Sequence, residues 1–395
     1  MTSDNIVVIG AGALGLSTAL HCALLGRPVV VLERDTAGSQ ASGRAAGLFK
    51  SVQADELRTI IARRSIARAL SFGDWAGVPL EVTRSGSFLV ARTDAHRAYL
   101  RTEAAQSAGW GVDAAPASLG RAVSYYQGDG TELALWCPED VYIEEPMSLV
   151  TAMTAACGRL GVELAEEEPV LEVAQAEVRT SRRSIPAAVV VDAAGAWTRQ
   201  VAELAGAEVA VAPVRHQLLI TEPAPGVDPA QPIVRVVDAA VYLRPARGGL
   251  MLGGFEADPV PVDPRARPAS FRTGDLELDL DVLAKMAGQV AAEAPLAGEL
   301  PVAERRGGLF TMTPDGRFVA GPVPDAPGLW VASGCNGSGF SSSLALGEAL
   351  AAWICDVPGR LDISALAPAR FGPLTDEALI SAGTWQYAHY YDPAP

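Results

Sequence analysis

The chain has 395 residues, 49% of them hydrophobic and 19% charged, which excludes a disordered chain, a collagen and a disulfide-stapled mini-protein and leaves room for two or three domains. Acidic residues outnumber basic ones 46 to 31, for a formal net charge of -15. That balance excludes nucleic acid as a natural partner, since phosphate binding needs a surplus of Lys and Arg.

In chain order, the first stretch, residues 5–26, carries no charged side chain apart from neutral His21. It is long enough to imitate a membrane helix. However, it contains Gly10, Gly12, Gly15 and Gly26, and no basic residue precedes it. It reads better as a buried strand running into a buried helix, and the protein as cytoplasmic, with no membrane partner. The odd set of cysteines, Cys22, Cys137, Cys157, Cys335 and Cys355, has no CxxC pair. This suits buried thiols in a reducing compartment, with neither a disulfide frame nor a bound metal.

Residues 6–9 (Ile-Val-Val-Ile) form a short β-branched run, the pattern of a central parallel strand. Gly10-Ala-Gly12-Ala13-Leu14-Gly15 follows, then a helical run to about Leu25, then a second apolar run, 29–32, ending at Glu33. Gly10 permits the tight turn, Gly12 lets a pyrophosphate approach the backbone, and Gly15 lets the helix lie close to the strand. The helix start offers unpaired N–H groups to the anion. Glu33 is spaced to accept hydrogen bonds from a ribose diol, and its charge disfavours a 2′-phosphate. This pattern predicts a bound adenine dinucleotide, either FAD or NAD.

Further strands are expected at 86–91, 217–221, 241–244 and 249–253, and a loop at the Pro-rich stretch 258–264. The run 187–192 is another buried strand, ending in small residues through Ala194 and Gly195 to Trp197. Near the carboxyl end, a strand at 328–333 enters Gly334-Cys-Asn336-Gly337-Ser338-Gly339-Phe340 and then a helix over 341–354. A second glycine-rich turn thus opens a second helix, whose N–H groups would stabilise a flavin as it gains negative charge.

Taken together, Val7–Gly15, Ser42–Leu48, Val191–Trp197, Val214–His216, Met312–Gly316 and Gly334–Phe340 resemble the FAD-dependent D-amino-acid oxidase superfamily. The likeness is to its glycine oxidase, sarcosine oxidase and dimethylglycine dehydrogenase branch. The resemblance implies an α/β (α+β overall) fold: a Rossmann-like FAD-binding domain with an inserted antiparallel or mixed β-sheet substrate domain. The cofactor domain would comprise 1–85, 145–215 and 300–365, the substrate domain 86–144 and 216–299, and residues 366–395 an aromatic tail. That tail would cap the site or a subunit interface, or pack on its own domain.

By the same resemblance, Gly10, Gly12, Ala13, Leu14, Gly15, Glu33 and Arg34 would hold the dinucleotide. Ser42 would meet the pyrophosphate and Val170 the adenine. Arg44, Ala45, Ala46, Gly47, Ala194, Gly195, Trp197, Gly334, Asn336, Gly337, Ser338, Gly339 and Phe340 would surround the rest of the cofactor. Arg44 stands where relatives carry a flavin-linked histidine, and Gly308 with Phe310 where others carry a flavin-linked cysteine. FAD is therefore expected to be held non-covalently. Met251 replaces a lysine that assists oxygen reduction in monomeric sarcosine oxidases. Phe310 and Ser341 replace the usual carboxylate-binding arginine and lysine.

The implied chemistry is oxidation of the C–N bond of a small amine or amino acid, plausibly secondary or N-methyl, with a hydride equivalent passing to flavin N5. The imine would then hydrolyse, with oxygen or an electron-transfer partner as final acceptor. No Ser-His-Asp set is apparent. His216 would meet flavin or substrate, or be a satisfied histidine at a domain junction. Arg244 would face cavity or solvent, and Tyr242 would share its face. Arg44 and Lys50 are further cations for a carboxylate, whereas Arg305 and Arg306 read as solvated or ion-paired. Phe310 and Trp197 read as core or cavity wall. The alternatives are oxidation of a 2-hydroxy acid on the same fold, or an electron-transfer or non-catalytic flavoprotein subunit.

Overall fold

A computed structural model describes residues 4–120 and 123–392. Its first layer is a six-stranded sheet in the order Val319–Pro322, Leu329–Ser333, Val189–Asp192, Ile6–Ile9, Val29–Leu32, Glu163–Ala165. Every pairing is parallel except the first, which is antiparallel. The β-branched run 6–9 is central and buried at all four positions, as a strand covered on both faces requires. Helix Ala13–Leu24 follows at once and packs against helix Gly339–Ile354. The two approach closely because Gly347 has no side chain: a Cβ there would lie 2.3 Å from Ser17 Oγ.

The second layer is an eight-stranded sheet: Val302–Met312, Ala212–Thr221, Gly249–Gly254, Val241–Ala246, Ile233–Val236, Ser87–Ala91, Leu133–Cys137, Ala115–Pro116. Its pairings are antiparallel except that of Ile233–Val236 with Ser87–Ala91. One face is sealed by helix Leu280–Gln289, where Leu283 and Met286 join Leu219, Leu243 and Leu252 in a dry core. The alternate residues of the same strands point the other way, toward a cavity between the two sheets.

The expected mixture of a Rossmann-like layer and a mixed sheet is therefore present. The strands expected at 86–91, 217–221, 241–244 and 249–253 are all found, most of them longer. One grouping differs: strand Val302–Met312, assigned from sequence to the cofactor-binding pieces, belongs to the second sheet. It pairs with Ala212–Thr221 from Ala212↔Met312 to Thr221↔Val302. A ladder of that length outweighs adjacency in the chain. Among the described residues, no helix is long and apolar enough to cross a membrane.

Candidate active site

A cavity of about 490 Å³ runs between the layers. At its dinucleotide end the first glycine turn is shaped by contacts that no other residue could make. Gly10 has φ +105°, and a Cβ there would lie 2.6 Å from the Ala193 carbonyl oxygen. A Cβ on Gly15 would fall 2.0 Å from the Gly10 carbonyl oxygen, so Gly15 sits behind the turn rather than in the cavity wall. Gly12, Ala13 and Leu14 line the cavity. Ser42 lines it too, its Oγ accepting from Ala13 N at 2.9 Å.

Glu33 is buried at the same end. Its Oε2 accepts from Ala11 N at 2.8 Å and its Oε1 from Asp35 N at 2.9 Å. Burial pushes its carboxyl upward and the two N–H groups pull it back. Each oxygen keeps lone-pair capacity toward the cavity. Arg34 Cζ lies over the Trp197 ring, 4.4 Å from its centre, and both line the wall with Val170, Ala194 and Gly195.

The second glycine turn brings another helix start to the same space. Gly337, Ser338, Gly339 and Phe340 line the cavity. Gly334 and Asn336 do not, which corrects the expectation that they contact the cofactor. Asn336 is turned inward: its Oδ1 accepts from Thr313 N at 2.9 Å and its Nδ2 donates to the Gly334 carbonyl at 2.7 Å. It ties the turn to the 302–312 strand, and Gly334, at φ +63°, has no room for a Cβ beside Thr313 Cγ2 at 2.6 Å. The positive ends of two helices thus open into one cavity. Ala45, Ala46 and Gly47 form the wall between them, beside Arg44, whose Nε donates to the Gly307 carbonyl at 2.7 Å.

The other end is aromatic. His216 stacks on Phe310 at 4.1 Å with the planes 16° apart. Its Nε2 meets the Tyr242 hydroxyl at 3.0 Å and its Nδ1 the Tyr387 hydroxyl at 2.8 Å. Burial pushes its pKa down to about 3, so the ring is neutral: one phenol donates to it and the other accepts from it. Burial pushes Tyr242 up, which keeps its phenol protonated. His216, Tyr242, Phe310 and Lys50 all line the cavity.

Arg244 does not. It faces neither cavity nor solvent: it is 0% exposed and lies 4.6 Å over the Tyr142 ring. Its Nε donates to the Ala46 carbonyl, Nη1 to Glu144 Oε2 and the Pro245 carbonyl, and Nη2 to the Glu144 carbonyl, at 2.6–3.1 Å. A buried guanidinium must satisfy its donors, and these acceptors draw it off the face it shares with Tyr242. It fixes the backbone of the Ala45–Gly47 wall instead.

Several lining residues escaped the sequence reading. Arg306 is ion-paired with Glu304, as read, yet it is only 7% exposed, lines the cavity and leaves Nη1 buried without a partner. Arg235, Phe255, Tyr390 and Tyr391 also line it. The period-two alternation around Tyr242 offered a signal for Arg235, which lies directly across the ladder from it. Nothing local marked Phe255, whereas Tyr390 and Tyr391 belong to the aromatic tail, for which a place over the site was one of the readings.

A family model described as FAD dependent oxidoreductase (DAO) matches residues 5–353. The chain belongs to this family. It is 27% identical over 374 residues to mitochondrial sarcosine dehydrogenase of Homo sapiens, covering 89% of this chain and 40% of that protein. It is 28% identical over 394 residues to 4-methylaminobutanoate oxidase (formaldehyde-forming) of Paenarthrobacter nicotinovorans, covering 94% of this chain and 46% of that protein. The chain therefore spans less than half the length of either relative. The solved structure of L-proline dehydrogenase from P. horikoshii superposes with a TM-score of 0.83 at 23% identity, covering 94% of this chain and 98% of that one, a likeness of fold. The residues present fit FAD. The Gly10 turn has no space for a side chain, the Glu33 carboxylate faces the same end, and Arg306 Nη1 is an orphaned donor in the wall.

Proposed function

We propose that this chain oxidises the C–N bond of a small secondary or N-methyl amine or amino acid, with FAD held without a covalent bond. The observation that carries the reading is the continuity of the cavity from the two helix starts to the His216–Tyr242 pair. The names of the two curated relatives, sarcosine dehydrogenase and 4-methylaminobutanoate oxidase, refer to secondary amines that bear a carboxylate, and this supports the substrate class.

FAD, when bound, supplies the two-electron acceptor for the oxidation. Gly10, Gly12, Ser42 and Glu33 would hold its dinucleotide part, and Gly337–Phe340 the turn beneath its ring. The chain's own side chains bind, orient and exclude water. His216 and Tyr242, both neutral, fix a hydroxyl against the substrate rather than supplying a charge. Lys50, Arg44 and Arg235 in the same cavity disfavour a protonated amine, and the free amine is the form that can lose a hydride equivalent. Phe310, Phe255 and Tyr391 give the pocket an apolar wall.

The test is anaerobic addition of N-methyl amino acids, D-amino acids and 2-hydroxy acids to the FAD-loaded protein. Bleaching of the flavin band by secondary amines is the expected result. Bleaching by 2-hydroxy acids alone, or by none of these, overturns the reading. Peroxide release on admitting air then separates oxygen from a protein acceptor.

A further inference from the structure

We infer that the aromatic end of the cavity binds a carboxylate between Arg235 and Lys50, with Asp140 as the positioning residue for Arg235. The inference rests on the amine-oxidation reading and names the anchor that reading lacks.

Five residues stand directly opposite one another across five strands of the second sheet: Arg306, Leu218, Gly253, Tyr242 and Arg235. Cross-strand partners share a face, so this row crosses the cavity side with an arginine at each end, the two backbones about 19 Å apart at the usual strand spacing. The Tyr242 hydroxyl lies over Gly253, where a Cβ would be 2.3 Å away.

Arg235 is 3% exposed. Its Nη1 donates to Asp140 Oδ2 at 2.9 Å, and among the described residues its guanidinium makes no other hydrogen bond. Four N–H donors are therefore free on a side chain that lines the cavity. Asp140 is 0% exposed and held rigidly: its Oδ1 accepts from Ser51 N and Oγ at 2.7 and 2.6 Å, its Oδ2 from Ser87 Oγ at 2.6 Å. Such a carboxylate aims the guanidinium while leaving it charged.

Lys50 precedes Ser51 in the chain. Its Nζ lies 5.5 Å from the centre of the Tyr391 ring, and among the described residues it has no acidic partner within 4 Å. The acidic residues in the cavity wall are Glu33 and Glu168, the latter beside Val170 at the dinucleotide end. A protein of formal charge -15 thus lines this end of its cavity with cations and, among the described residues, no carboxylate, Asp140 lying behind the wall as the partner of Arg235. A fixed cationic patch in a low-dielectric cleft selects an anion, and a planar guanidinium with parallel donors matches a carboxylate.

The probe is methoxyacetate, which carries an ether oxygen where an N-methyl amino acid carries nitrogen and so cannot be oxidised at a C–N bond; methoxyacetamide is its uncharged control. Both are titrated into the FAD-loaded protein by calorimetry and by the shift of flavin absorption. We expect the acid to bind and the amide to bind at least tenfold more weakly. Lys50→Met and the paired change Arg235→Gln with Asp140→Asn, which removes both buried charges together, should each raise Kd for the acid about tenfold or more. Kd for the amide should move less than twofold. Variants that bind the acid like the unaltered protein, or an unaltered protein that binds acid and amide equally, overturn the anchor. If the paired change prevents folding, Lys50→Met alone decides, because that side chain has no ion-pair partner to lose and only an aromatic contact with Tyr391. Charge-dependent binding of the acid without flavin reduction by any carboxylated amine would end the oxidation reading and leave the anchor standing. Equal reduction by amines that lack a carboxylate would do the reverse.

Discussion

Tyr387, on the last helix, meets His216 Nδ1 at 2.8 Å, although the two lie 171 residues apart in the chain. Helix Asp376–Ala388 therefore backs the cavity wall from behind His216, and Tyr390 and Tyr391 just beyond it line the cavity. Phe255 stacks on Tyr390 at 4.0 Å and joins this wall to the His216 cluster.

Tyr387→Phe keeps the ring and removes one partner from a buried imidazole. Leaving that nitrogen unsatisfied costs about 1–3 kcal/mol, which should lower Tm by a few degrees in thermal unfolding. The rate of flavin reduction by the best amine should fall as well, since the Tyr242 hydroxyl loses its fixed neighbour. Unchanged Tm and unchanged rate together would show that the contact is not formed in solution.

His216 also sets a pH dependence. Its folded pKa, about 3, is below the free value of 6.5, so the unfolded chain binds its proton more readily. The stability linked to neutral His216 is complete above pH 6.5 and is lost as pH falls through the window from 6.5 toward 3, at about 1.4 kcal/mol per unit. Denaturant melts of the protein and of His216→Asn at pH 7 and pH 5 should show the variant losing less stability on acidification. Parallel losses would place the His216 titration elsewhere. Between pH 7 and 9 this residue contributes no titration to the rate.

The two neighbouring glycines should separate stability from cofactor binding. Gly10→Ala forces a Cβ to 2.6 Å from a carbonyl oxygen at φ +105°, strain of about 1–3 kcal/mol before the clash is counted. It should lower Tm and abolish FAD uptake. At Gly12 a Cβ would approach Ser42 Oγ at 3.2 Å and nothing else within 4 Å, so Gly12→Ala should fold normally and bind FAD more weakly. The ratio of flavin to protein absorbance after gel filtration reads both.

Acid precipitation tests the tether. The resemblance implies Arg44 and Gly308 where relatives carry linking residues, and on the proposed non-covalent reading the yellow colour should stay in the supernatant. Cys335 is the one thiol in the cavity wall among the described residues. Colour in the pellet that disappears in Cys335→Ser would identify it as the link.

The strand–turn–helix–strand start of the first layer was readable in the sequence because it is local. A buried β-branched strand, a glycine turn, a helix and an acidic residue all fall within residues 6–33, and sterics alone dictate their arrangement. The substrate half was not, because it is assembled across strands whose register only the folded sheet decides. Alternation placed Tyr242 and Arg244 on one face, yet the carbonyls of Ala46 and Glu144 drew Arg244 out of the cavity. Arg235 came in because its strand pairs with Tyr242 and because Asp140, 95 residues away, holds its charge. Side-chain direction follows from backbone periodicity, but where a charge ends up depends on which distant groups can satisfy it, and that is a property of the tertiary structure.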